Sequence, residues 1–348
     1  MKVIQVSSPT RVDLAGGTLD LWPLYNFIGG AVTVNVAIEI QTEAVLEPKS
    51  TSEIELHSED LNLAKTFSNL QECLQTDDPA LRLLQAQLEY WKPRHGFKLT
   101  TRSQSPVGGG LGGSSSLTIS LLKAFEAWLH PQESHFKTTH QMVHVAHNLE
   151  AGVLGTPTGT QDYYPAASGG LNILTYSSDG IRQEILPIQG TQLEQSFLLV
   201  YTGKSHHSGI NNFEVLSKAV QRDPQVLTAL RALGEISIQT AQACRSQLYE
   251  QLPGLFRKEY RERVKLAKAF SSPEIDRLHD LTMQAGASAV KICGAGGGGC
   301  VLVWVEPPHR EKVRAVCEKN GFRVLDAKPV PPLVPSRALR AGEPVRES

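Results

Sequence analysis

The chain lacks an apolar run of membrane-spanning length, and its opening residues, MKVIQVSSPTRVDL, lead into strand-like sequence with no apolar leader core. Export and membrane insertion are therefore not expected, and a cytoplasmic location is. Cysteine is scarce. Cys73, Cys244, Cys293, Cys300 and Cys317 are odd in number, scattered and never spaced C-x-x-C, which argues against a disulfide framework or a zinc ribbon and fits a reducing compartment. Net charge is nearly absent as well. At −1 it provides no global attraction to nucleic acid or anionic membrane, so any phosphate binding has to be local. No internal repeat is present.

What is there suits a two-domain protein: 348 residues with 41% hydrophobic and 20% charged content can bury a large core. Val3 to Val6 and Ala31 to Leu46 read as strands, the second through the alternation Val32, Val34, Val36, Ile38, Ile40. Ala80 to Trp91 has helical spacing, as do Leu117, Leu121, Phe125 and Leu129. Ser178-Asp179-Gly180 between two apolar runs predicts a hairpin, and the domain boundary is placed just after it. Beyond come a strand (Phe197 to Tyr201), several helices, one opened by Ser272-Pro273-Glu274, and paired strands AVKIC and CVLVWV around a glycine turn. The expected units are residues 1–186, 187–330 and a tail. From Pro329 onward the chain is rich in Pro and Arg, and residues 331–348 are expected to be an extended or disordered appendage.

The segment Ser105-Pro-Val-Gly-Gly-Gly-Leu-Gly-Gly-Ser114-Ser-Ser116 lies between a strand-like run, Phe97 to Thr101, and an amphipathic helix. Glycine backbones can turn N–H groups toward an anion at close range, and a helix start adds unpaired donors and a favourable dipole. Its serines can cap the helix or place a hydroxyl on a phosphate-bridging magnesium ion. A flexible loop before a capped helix is the plainer alternative. Gly108, Gly110 and Gly113 satisfy G-x-G-x-x-G, but the acidic residue a dinucleotide fold wants about 20 residues on falls in the loop His130-Pro-Gln-Glu-Ser. Gly203-Lys204-Ser205 imitates the end of a P-loop, yet Leu198 stands where that motif needs glycine.

PVGGGLGGSSS resembles the P-x-x-x-G-L-G-S-S loop of the superfamily of galactokinase, homoserine kinase, mevalonate kinase and phosphomevalonate kinase (GHMP). Pro9-Thr-Arg-Val-Asp-Leu-Ala-Gly-Gly17 is similar to its first motif, and Lys291-Ile-Cys-Gly-Ala-Gly-Gly-Gly-Gly299 to its third. Within it, PTRVDLAGGTLDL, GGAVTVNVAI, GTPTGTQDYYPAASGGLNIL and YTGKSHHS are most similar to the sugar kinases acting on heptose 7-phosphate or fucose. The resemblance implies an α+β fold of two domains: an ATP-binding one like ribosomal protein S5 domain 2 (residues 1–186) and a ferredoxin-like one (residues 187–330), with ATP and acceptor in the cleft between them. One departure is Gly113, which stands where the second motif has its first serine.

The resemblance also assigns roles. Asp162 matches the catalytic aspartate, which accepts the acceptor's proton or holds its hydroxyl in line; from the residues alone it reads equally as an Asx turn or cap. Arg11 matches the first motif's basic residue, set to stabilise the transferring phosphoryl, with a surface ion pair as the alternative. Pro106, Gly108, Gly109, Gly110, Leu111, Gly112, Gly113, Ser114 and Ser115 would hold ATP, and Ser114 with Glu150 the Mg2+. Asp20 and Thr18 fall where related kinases bind sugar hydroxyls, with Gly17, Gly296 and Gly297 shaping that cleft. Asp13 is an ambiguous neighbour. Lys204, His206 and His207 are candidates for facing an acceptor phosphate or are exposed loop residues, and His140, His144 and His147 form a polar helix face without the H-E-x-x-H pattern of a zinc site.

The function so implied is an ATP- and Mg2+-dependent kinase phosphorylating a hydroxyl, the anomeric one, of a small-molecule sugar or sugar phosphate such as a heptose 7-phosphate, with no nucleic-acid or membrane partner, as a monomer or homodimer. A mevalonate- or homoserine-type kinase and a catalytically silent sugar sensor of the same fold are the alternatives.

Overall fold

The computed structural model describes residues 2–205, 208–266, 270–294 and 296–333. Its first half runs β1 (Ile4–Ala15), α1 (Leu24–Phe27), β2 (Ala31–Pro48), β3 (Ile54–Ser58), β4 (Leu63–Phe67), α2 (Leu70–Gln75), α3 (Arg82–Trp91), β5 (Phe97–Ser103), α4 (Gly113–Leu129), α5 (Thr139–Leu154), α6 (Tyr163–Ser168), β6 (Leu171–Ser177) and β7 (Gly180–Leu186). The second half runs α7 (Gln192–Ser196), β8 (Phe197–Tyr201), α8 (Ser208–Val220), α9 (Pro224–Arg245), α10 (Leu252–Leu266), α11 (Pro273–Ala285), β9 (Ala289–Ile292), β10 (Cys300–Trp304), α12 (Arg310–Lys319) and β11 (Arg323–Leu325). Among the described residues no helix is long and apolar enough to cross a membrane.

The alternating run that predicts a strand from Ala31 organises the first half. β2 pairs along one edge with β1, and along the other with β6 (Ala31↔Tyr176 to Val36↔Leu171) and then β5 (Thr42↔Ser103 to Pro48↔Phe97). With β3, β4 and β7 this makes a seven-stranded sheet. The gap between those two partners is filled by a segment that begins at Lys328. Glu39 N donates to Lys328 O at 2.9 Å, Val330 N to Ala37 O at 2.9 Å, and Leu333 N to Ser168 O at 2.7 Å, so the segment from Lys328 to Leu333 is bonded to the first half. The expected tail thus begins as an extended strap on β2; residues 334–348 lie outside the described residues.

The second sheet, in order β11-β8-β10-β9, is wholly antiparallel, and its β-α-β-β-α-β chain order is that of ferredoxin-like units. Its strands are apolar on both faces, and alternate residues enter different cores. Leu198, Val200, Val301 and Val303 pack against Ile275, Leu278, Val313 and Cys317 of α11 and α12. Phe197, Leu199, Leu302 and Trp304 instead join Val12, Leu14, Val34 and Val36 in a cluster that runs through both sheets. Full burial of a side chain of this size contributes about 1.5–3 kcal/mol, so this shared core holds the two domains as a pair.

Candidate active site

Arg11 and Asp13 are set by β1. Register shifts against β2 fall between Pro9 and Thr10 and between Asp13 and Ala15, bracketing the two charged residues; such bulges bend a strand and re-aim its side chains. Arg11 is buried, and its contacts fix three segments at once. Its Nε and Nη2 lie 2.8 and 2.6 Å from Asp162 Oδ1, its Nη1 donates to Gly110 O at 2.5 Å, and its backbone N donates to Leu111 O at 3.0 Å. Burial works against its charge, yet Asp162 and Asp13 hold its pKa above the ordinary value.

Asp162 stands at the head of α6, its side chain uninvolved in capping and 24% exposed. Gly112 lies directly beneath it with φ +69°; a Cβ there would come within 3.1 Å of the Asp162 carboxylate, so only glycine suits both the backbone and the approach. The third motif completes the convergence. A Cβ on Gly294 would sit 2.9 Å from Gly110 Cα, and Cys300 N donates to Gly109 O at 2.7 Å. The segments around residues 11, 110, 162 and 294 therefore meet at one place.

Beside this meeting point α4 begins, with no side-chain cap at Gly112, so the donors of its first turn face the loop. Glu150, 4% exposed at the inner side of α5, accepts hydrogen bonds from Ser114 Oγ, from Ser115 Oγ at 2.8 Å and from the Tyr163 hydroxyl at 2.7 Å. Burial raises its pKa, and the three donors work against that rise. Among the described residues no three His, Cys, Asp or Glu side chains gather as a metal cage. One carboxylate and one hydroxyl, both oxygen donors in contact, do fit magnesium, which takes few protein ligands and keeps water and phosphate oxygens.

The turn after β1 carries the expected acceptor residues. Asp20 is 5% exposed, accepts from Gln161 N at 3.0 Å, and is so close to Gly159 that a Cβ there would overlap its carboxylate. Burial pushes its carboxyl up to about 7, against the hydrogen bond from Gln161. Thr18 holds φ +79°, a costly conformation for a β-branched residue, and its hydroxyl donates to Asn212 Oδ1 at 3.3 Å. Asp20 is thus adjacent to Asp162 through Gln161.

Other expected residues fall elsewhere. Leu111 is buried in the shared core, so its side chain makes no part of a nucleotide site; its carbonyl holds Arg11. Gly17 is pressed against Asp13 and Arg263, which makes it a packing position. Gly296 and Gly297 lie on the Phe270 carbonyl, while Gly294 is the third-motif glycine at the loop; Ala295 lies outside the described residues. Pro106 O accepts from Gly109 N at 2.8 Å, tightening the loop. Lys204 O accepts from Gly299 N at 2.7 Å, but its side chain pairs with Glu274; His206 and His207 lie outside the described residues. His140 contacts the Tyr164 hydroxyl and His147 the Thr158 carbonyl, both within the fold.

Sequence reasoning passed over Tyr163, Glu259, Arg263 and Lys291. Tyr163 directly follows Asp162, which was a signal. For Glu259 and Arg263 the only signal was the i, i+4 pairing of opposite charges, which exposed helices share.

Known proteins resemble this chain in sequence and fold. Residues 75–170 match the GHMP kinases N terminal domain and residues 247–322 the GHMP kinases C terminal domain. The chain is 26% identical to a D-glycero-alpha-D-manno-heptose 7-phosphate kinase of Campylobacter jejuni, covering 92% of this chain and 95% of that one. It is 22% identical to a mevalonate kinase of Methanocaldococcus jannaschii, over 93% of this chain and 98% of that one. A crystal structure of a putative sugar kinase from Campylobacter jejuni has the same fold, with a TM-score of 0.74 and 24% identity over 95% of this chain and 97% of that one. With both domains matched in chain order and relatives aligned over nearly its whole length, this chain belongs to the GHMP kinases, ATP-using phosphotransferases that act on hydroxyl groups.

Proposed function

We propose that this chain transfers the γ-phosphoryl group of ATP to a hydroxyl, the anomeric one, of a sugar or sugar phosphate such as a heptose 7-phosphate. The observation that carries this reading is Arg11, whose one guanidinium bonds both the Gly110 carbonyl of the glycine loop and the Asp162 carboxylate. A residue so held ties the phosphate-binding element to a partly exposed carboxylate beside Asp20. The relative of that specificity matches nearly end to end, which supports the choice of acceptor.

The loop from Pro106 to Ser115 would cradle the phosphates with backbone N–H groups and the start of α4. The turn bearing Thr18 and Asp20 would hold the acceptor's hydroxyls. Asp162, anchored through Oδ1, would take the hydroxyl's proton on Oδ2 while the new oxygen–phosphorus bond forms and the bond to the departing ADP oxygen breaks. The Arg11 charge, kept from water, would stabilise the phosphoryl in flight. A magnesium ion, when bound, would be held by Ser114 and Glu150 and would neutralise charge on the phosphate oxygens.

The test is transfer of labelled phosphate from ATP across a panel of heptose 7-phosphate, fucose, galactose, mevalonate and homoserine. Label on a sugar with anomeric attachment is expected; label on mevalonate or homoserine with none on any sugar rejects the reading.

A further inference from the structure

Behind the acceptor turn lies a cluster of charges that phosphoryl transfer does not use. Asp13, Glu259, Arg263 and Lys291 are all sealed from solvent. Lys291 Nζ lies 2.9 Å from Asp13 Oδ2 and 3.4 Å from Glu259 Oε1; Arg263 Nη2 lies 2.6 Å from Glu259 Oε1 and 3.5 Å from Asp13 Oδ2. Two acids and two bases balance. Burial pushes the Asp13 carboxyl up, but Lys291, Arg263 and Arg11 outweigh it and hold the group below its ordinary value.

Stability is a poor reason for such a cluster, since buried ion pairs rarely outperform apolar replacements of the same volume. This one is also incompletely satisfied. Asp13 Oδ1 and Arg263 Nη1 are buried with no hydrogen-bond partner. What the cluster does achieve is placement. Asp13 is two residues after Arg11, and Lys291 three before Gly294, which abuts Gly110. Arg263 reaches across from α10 to donate to the Gly17 carbonyl at 3.1 Å, where the acceptor turn begins. Gly17 has no room for a side chain, because a Cβ would fall 2.5 Å from Asp13 Oδ2 and 3.0 Å from Arg263 Nη2.

We propose that this buried quartet positions the acceptor turn, Gly17 to Asp20, against the phosphate loop, with Arg263 acting through the Gly17 carbonyl. The inference rests on the reading that this turn holds the acceptor. Arg263 is a positioning residue, since it touches neither reactant. Its planar fork serves Glu259 and the Gly17 carbonyl together, a geometry that a lysine ammonium does not reproduce.

The test is Arg263→Lys in the full chain. Misplacing the turn should lower kcat/KM for the acceptor on the order of 10²-fold, while KM for ATP stays within about twofold. Without any substrate, amide hydrogen exchange should quicken in residues 17–21 and stay unchanged in residues 108–114. An equal rise in KM for ATP, or unchanged exchange in residues 17–21, overturns the proposal. Should Arg263→Lys fail to fold, Glu259→Gln, which removes one charge with little change of shape, is read by the same two measurements. If the wild-type chain phosphorylates no sugar, the functional reading fails, and the exchange arm still decides whether the quartet sets the turn.

Discussion

Two charge clusters start two residues apart on β1, and they are built for opposite ends. Arg11 meets Asp162, whose side chain remains 24% exposed, and Gly112 of the glycine loop lies close against that carboxylate. Asp13 meets Lys291 and Arg263 in a pocket sealed by Gly17, with no exposed atom in any of the three side chains. In the proposed reading, the same pairing of guanidinium and carboxylate serves chemistry where the carboxylate is partly exposed and architecture where it is buried. Accessibility of the carboxylate is what separates the two.

Substitutions should break that comparison in opposite ways. Asp162→Asn should cut turnover by ~10²–10⁴ while leaving ATP affinity nearly intact, as measured by steady-state kinetics and nucleotide titration. Stability should barely change. Asp13→Asn should do the reverse at the level of folding, costing about 3–5 kcal/mol in urea unfolding, because it leaves Lys291 and Arg263 buried beside a neutral partner. If Asp13→Asn unfolds like wild type, or if Asp162→Asn is the less stable of the two, the contrast between the clusters fails.

A smaller effect concerns the carboxylate beside the loop. Tyr163→Phe removes one donor to Glu150 and should raise the magnesium concentration for half-maximal rate by ~10–100-fold, the usual cost of losing a partner that orients a metal ligand. An unchanged magnesium titration would remove Glu150 from that role.

The smallest is a pH effect at Asp20. Its folded pKa, near 7, lies above the unfolded value, so the folded chain binds one more proton between roughly pH 4 and 7. Stability from this group is complete below the unfolded value and declines as pH rises toward 7. Asp20→Asn should therefore gain on wild type in urea unfolding between pH 5 and pH 8. A constant difference across that window contradicts the buried, proton-holding state of Asp20.

Much of this was legible in the residues. Alternation at Val32 to Ile40 predicted β2, Ser272 capped α11 as its motif suggested, and Phe197 to Tyr201 is a strand with the expected bounds. The reasons are local: period, cap and turn chemistry act within a few residues. Arg11 and Asp162 were legible only through resemblance, because their meeting spans a separation of 151 positions and no local rule sets it. The quartet was not legible as a unit, although Asp13 and Lys291 stand in the first and third motifs. Glu259 and Arg263 look like a surface helix pair until α10 is seen packed against β9, and Lys291 sits in an apolar strand with nothing to mark its partner. The strap from Lys328 was hidden for a related reason: prolines and polar residues signal an exposed tail, yet here they complete the edge of β2 left open between β6 and β5.

The most direct measurement is sugar-dependent transfer of label from ATP to heptose 7-phosphate by the wild-type chain and by Asp162→Asn, with ATP binding measured on both. Transfer by the wild type that collapses in the variant at preserved ATP binding is the predicted result. Undiminished transfer by Asp162→Asn would contradict the account.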